Sequence, residues 1–234
     1  MQLYRPALLP APSSVGVDPV LLAPTLKAKP LLRGIPDVVA TLAALPAAWL
    51  LLRAARPGVA WLGALIYGIC MVLLFAISAT YHAFMWPPRV RGILRRFDHA
   101  MVYMLIAGSY TPLCLAGLGP TMGLRLLALV WSVAALGVAK SFLWPAAPRS
   151  LNTLLYIGLG WLVVIALPAA QGALGSLGIG LLLGGGIVYT LGALIYWQRW
   201  PNPSPRLFGY HEVFHLFVMA AGGCHYATMW RLLT

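Results

Sequence analysis

The chain has 234 residues, 61% of them hydrophobic and 9% charged, with four acids against sixteen Lys and Arg for a net charge of +12. A soluble domain normally carries about 25% charged residues, so this composition excludes one and predicts an all-α, polytopic membrane protein. The apolar runs are too long for barrel strands. The positive balance is explained by cationic loops facing anionic lipid, with no nucleic-acid partner.

Residues 1–36 hold seven prolines, from Pro6 to Pro36, at a spacing that forbids a helix of any length. They lack the uninterrupted apolar core of a signal peptide and read as an irregular cytoplasmic tail ahead of a membrane domain over 37–234. Seven apolar segments follow, at 37–53, 59–82, 98–118, 122–143, 151–171, 174–197 and 211–231. Most reach the ~20 residues that span ~30 Å of hydrocarbon. Pro46 should kink the first, and Tyr110-Thr111-Pro112 the third. Gly184-Gly185-Gly186 in the sixth predicts close helix packing. Trp86, Trp144, Trp197 and Trp200 fit an aromatic belt. Cys70, Cys114 and Cys224 lie in apolar stretches without CxxC spacing and read as packing residues.

Orientation follows from the cations. The N-terminal tail and the loops after segments two, four and six hold twelve Lys and Arg, while Arg53, Arg56, Arg125 and Arg231 make four on the other side. The positive-inside rule then puts the N-terminus in the cytoplasm and the C-terminus outside.

This topology brings polar residues together. Ser78 and His82 fall at the cytoplasmic end of segment two, Asp98 and His99 at the start of three, and His211, Glu212 and His215 at the start of seven. Four of the five His and two of the four acids thus share one depth. His211 and His215 stack on one helix face. Three imidazoles from two helices plus a carboxylate make a zinc site with an open position for water. His82, His211 and His215 are the expected ligands. Asp98 is either a fourth ligand or the base for the activated water, and Ser78, four residues before His82, a hydroxyl that orients a ligand or the water.

Blander readings stand beside these. Glu212, as part of H-E-x-x-H, either acts on water as in zinc proteases or faces the loop and anchors an arginine. His99 points about 100° away from Asp98 on a helix and is not expected to face the same site. His225 reads as a structural, hydrogen-bonded membrane histidine.

The motifs Ser78-Ala-Thr-Tyr-His82, Phe97-Asp98-His99-Ala100, Ala107-Gly108-Ser109-Tyr110-Thr111-Pro112 and His211-Glu212-Val213-Phe214-His215 with His225 resemble the hemolysin III family. That is the bacterial branch of the progestin and adiponectin receptor (PAQR) family, grouped with alkaline ceramidases. The resemblance covers about 37–234, in family order. It implies seven helices with a cytoplasmic N-terminus, and zinc held by His82, His211 and His215 with Ser78 and Asp98 around the metal-bound water. It also implies a bacterial inner-membrane location.

The function this favours is a zinc-dependent hydrolase of an amide or ester bond in a membrane lipid, ceramide-like or another acyl lipid. The alternative is a non-enzymatic sensor or receptor with structural zinc. An intramembrane metalloprotease ranks lower, since His82 already supplies a third ligand. A lytic hemolysin ranks last, because the sequence has no amphipathic toxin helix.

Overall fold

The computed structural model describes residues 30–234, so most of the expected tail lies outside the described residues. Among these residues every regular element is a helix, joined by short irregular connections. Helix α1 spans Ile35–Ala54 and α2 spans Val59–Ala83. Helix α3 spans Pro88–Pro112 and runs into a π-helical turn, Leu113–Gly117; α4 spans Pro120–Leu143. Helix α5 spans Arg149–Trp161 and tightens into a 3-10 turn, Leu162–Ala166, before α6, Leu167–Gln198; α7 spans Tyr210–Leu233.

Each helix packs on its sequence neighbours, and α1 also packs on α7. Backbone bonds fasten that seam at both ends. The Leu31 and Leu32 amides donate to the Arg206 and Leu207 carbonyls at 3.0 and 3.2 Å, and the Arg56 amide donates to Leu233 at 3.0 Å. The Arg56 guanidinium adds a bond to the Leu232 carbonyl at 2.5 Å, covering the C-terminal carbonyls of α7.

Among the described residues, five stretches are long and apolar enough to cross a membrane: 35–54, 59–83, 88–117, 120–143 and 149–198. The last has 50 residues, about 75 Å of helix at 1.5 Å per residue and more than twice the ~30 Å hydrocarbon core. It is broken at Gly175, whose φ of 63° and ψ of 178° are not helical. Helix α7 falls outside the five because its histidines, Glu212 and Arg231 lower its apolarity. Large apolar side chains point outward, with Leu42 65% and Leu136 71% exposed, as befits surfaces that face lipid rather than water. The protein is a multi-pass membrane protein.

Polar groups inside the bundle find partners across helices, as a low-dielectric interior requires. The Tyr110 hydroxyl donates to the Leu159 and Gly160 carbonyls at 3.0 and 2.7 Å. The Trp161 indole donates to Thr190 at 2.9 Å, and the Tyr156 hydroxyl to the His99 carbonyl at 3.0 Å.

Several local expectations change. Helix α3 begins at Pro88, ten residues before the expected limit, so the Arg89–Arg96 stretch read as a loop is helical. Pro88 in the first turn loses no helical hydrogen bond, and the residues after it are mostly good helix formers. Pro112 ends the regular part of α3 in a π turn, with its Cα packed where a Cβ on Gly63 would come within 2.9 Å. Of the glycine triplet, Gly185 alone has a tight neighbour: a Cβ there would run into the His225 ring, whereas one at Gly184 would meet nothing.

Candidate metal centre

The ends of α1, α2, α3 and α7 that meet at one end of the bundle carry the candidate residues. His82 lies in the last turn of α2, and His211 and His215 in the first turns of α7. All three are buried. The His211 Nε2 is 3.2 Å from His82 Nε2 and 2.8 Å from His215 Nε2, and one ligand nitrogen from each histidine lies within 4.8 Å of the others. The i, i+4 spacing stacks the two α7 rings, and α2 brings the third against them.

The donor set fits a metal ion. The two short N···N separations approach the ~3.3 Å edge of a tetrahedron with ~2.0 Å metal–nitrogen bonds. Three imidazole nitrogens brought this close in a buried site present lone pairs that one metal ion can satisfy together. The far side of His215 is also arranged as metal sites require. Its Nδ1 contacts Asp37 Oδ1 at 2.7 Å, which directs Nε2 into the cluster.

Asp37 was not singled out in the sequence, although the depth argument could have found it. It sits in the first turn of α1, which begins at the same face as α3 and α7, and so makes a third acid at that level. It is 2% exposed, and its Oδ2 has no hydrogen-bond partner among the described residues. The approach of α1 depends on Gly34, with φ at 90°. A Cβ there would stand 2.5 Å from the Ala83 nitrogen and 2.8 Å from the His82 carbonyl carbon.

Glu212 has the second of its two expected roles. It is 1% exposed and ion-paired with the Arg33 guanidinium, while its Oε2 accepts the Gly209 amide at 2.8 Å, the N3-to-N-cap half of a capping box, the glycine having no side chain to return the bond. Both oxygens are thereby engaged at the start of α7, away from the three converging nitrogens.

Ser78 and Asp98 line the same cavity as the three histidines, and the Ser78 hydroxyl interacts with the Asp98 carboxylate. Asp98 is not among the three clustered ligands. His99 also lines this cavity, contrary to its expected direction; the cavity is broad enough to be bordered by two successive α3 residues. His225 lines its deeper part, its ring 5.4 Å from that of Tyr189, and among the described residues its buried Nε2 has no hydrogen-bond partner, where a hydrogen-bonded histidine was expected. The cavity holds about 480 Å³ and runs from a rim bearing Arg91, Arg95 and Arg149 to an apolar interior that includes Phe75, Leu105 and Val218.

A family model described as Haemolysin-III related matches residues 27–226. The chain belongs to this family. It is 34% identical over 185 residues to the Hemolysin-3 homolog of Bacillus subtilis, covering 77% of this chain and 83% of that protein. Against Hemolysin-3 of Bacillus cereus the identity is 35% over 155 residues, 66% and 67% of the two chains. The human Monocyte to macrophage differentiation factor is 27% identical over 173 residues, 72% of this chain and 69% of its own, and this animal relative supports the PAQR relationship. As a haemolysin-III related protein, the chain carries Asp37, Ser78, His82, Asp98, His211 and His215 all within the matched stretch.

Proposed function

We propose that this haemolysin-III related protein binds zinc through His82, His211 and His215 and hydrolyses an amide or ester bond in an acyl lipid. The observation that carries the reading is the opening of the three-histidine cluster into a cavity with a charged rim and an apolar interior. A structural metal needs no such space, and a lipid substrate needs both parts of it. In this reading the chain crosses a bacterial inner membrane seven times, with Gly175 dividing the 50-residue stretch into two spans and the cation-rich end, where the site lies, in the cytoplasm.

Zinc held here would supply Lewis acidity and lower the pKa of water towards neutrality. The chain's own groups do the rest. Asp98 takes a proton from the attacking water and returns it to the leaving group. Ser78 holds the Asp98 carboxylate in place. The apolar wall takes the acyl chain, and the carbonyl comes to rest at the histidines. Glu212, occupied by Arg33 and Gly209, has no part in the proton transfer.

The test is purification, measurement of bound zinc and assay of fatty-acid release from a panel of acyl lipids. His82→Ala and His211→Ala should lose zinc. Asp98→Ala should retain zinc and lose turnover by roughly 10²–10⁴-fold. Absence of zinc from the wild type sinks the metal assignment. Zinc without turnover of any lipid leaves the second reading, a sensor in which the metal ties α2 to α7, which the two-helix origin of the ligands favours.

A further inference from the structure

Two arginines flank the histidine cluster in matching ways. The Arg91 guanidinium, in the first turn of α3, lies 5.6 Å from the ring centre of Tyr81, and Tyr81 packs at 4.5 Å against His82. The Arg149 guanidinium, at the start of α5, lies 4.4 Å over Tyr196, and Tyr196 packs at 5.8 Å against His211. Each cation is therefore one aromatic ring removed from a histidine, on two sides of one cavity. Arg149 is also anchored by a 3.0 Å bond to the Tyr196 carbonyl. Both line the cavity, and among the described residues neither is ion-paired with a carboxylate, the ion pairs being Arg33 with Glu212 and His215 with Asp37. Ring-backed guanidiniums without acids are unneutralised positive charge at the wall of the cavity.

From this geometry we propose that the cavity selects lipids with an anionic group, a carboxylate or phosphate, in the head group next to the scissile bond. Arg91 and Arg149 are its clamp. The inference rests on the reading of the cavity as a lipid site. It goes beyond the general basicity of the cytoplasmic rim, because Arg96 and Arg199 belong to that rim and do not line the cavity. Guanidiniums recognise both anions through paired N–H donors.

The probes are N-oleoylglycine and N-oleoylethanolamine, which share the chain and the amide and differ in the charge of the head. Binding to the zinc-loaded protein in neutral detergent is measured by calorimetry, with turnover measured alongside. N-oleoylglycine should bind at least about tenfold more tightly, a difference of about 1.4 kcal/mol. Arg91→Gln and Arg149→Gln should each shrink the preference and the double variant abolish it, while Arg96→Gln and Arg199→Gln leave it intact. Inorganic phosphate, the soluble source of the same chemistry, should compete only weakly because it has no chain. Equal binding of the two lipids overturns the clamp. So does equal loss of preference in Arg96→Gln, which would mean bulk surface charge, or phosphate binding as tight as the lipid. Discrimination in binding with no turnover of any lipid in the panel would instead sink the hydrolase and leave the clamp standing.

Discussion

His215 has one ring nitrogen in the cluster, 2.8 Å from His211, and the other against Asp37 at 2.7 Å. A carboxylate on the non-ligating nitrogen fixes the tautomer and raises the basicity of the ligating one. Asp37→Asn should therefore weaken zinc binding by about 10–100-fold, read by competition with a chromogenic chelator. Asp37→Glu should recover part of the loss, and the thermal stability of the metal-free protein should change little. Unchanged zinc affinity in Asp37→Asn would show that the contact does not serve the metal. Asp37 escaped the sequence reading because a lone aspartate at a helix start has an ordinary explanation, favourable charge at the N-terminus. Its partner is 178 positions away in the chain, and no spacing rule connects them.

At the scale of elements, the first turn of α1 and the first turn of α7 are held as a unit. Arg33 pairs with Glu212, Asp37 with His215, and Leu31 and Leu32 bond to the loop before α7. Arg33→Met would leave the Glu212 carboxylate, 1% exposed, without its cation, at a cost of about 3–5 kcal/mol for a broken buried pair. The melting temperature in detergent should fall, and the double change Arg33→Met with Glu212→Gln should recover part of it. Gly34→Ala tests the same junction by sterics. A Cβ 2.5 Å from the Ala83 nitrogen, at a φ of 90°, cannot fit without moving α1 away from α2. Zinc affinity should then fall along with stability, because Asp37 moves with the turn. Zinc affinity preserved in Gly34→Ala would show that the approach of α1 is not needed to seat Asp37. The early start of α3 has a consequence here too: Arg91 stands over Tyr81 because Pro88–Asp98 is helix and not loop.

At the scale of the molecule, the cavity depends on all the helix ends at one face pointing the same way. The charge asymmetry predicts that face to be cytoplasmic. Fusions of a cytoplasm-active reporter and a periplasm-active reporter at each terminus should give an N-terminus inside and a C-terminus outside, the result for an odd number of spans. Both termini on one side would remove the seven-span reading and with it the cytoplasmic placement of the site. The deep part of the cavity should also set chain length. Gly185→Ala, whose Cβ would press on His225, should push that ring inward and disfavour the longest acyl chains more than short ones in a turnover series.

The sequence by itself determined the fold class, because long apolar runs have few folded alternatives in lipid, where the backbone must satisfy its own hydrogen bonds. It also gave each ionisable residue an expected height from its place in an apolar segment; His82, Asp98, His211 and His215 line one cavity, and Asp37 joins them there. Depth, however, is one coordinate of three. Which side chains meet at that depth depends on helix rotation and on which helices are neighbours, and these are set by packing between distant segments. Only the tertiary structure could decide that Glu212 belongs to Arg33, that Asp37 belongs to His215, and that two arginines stand one ring away from the histidines.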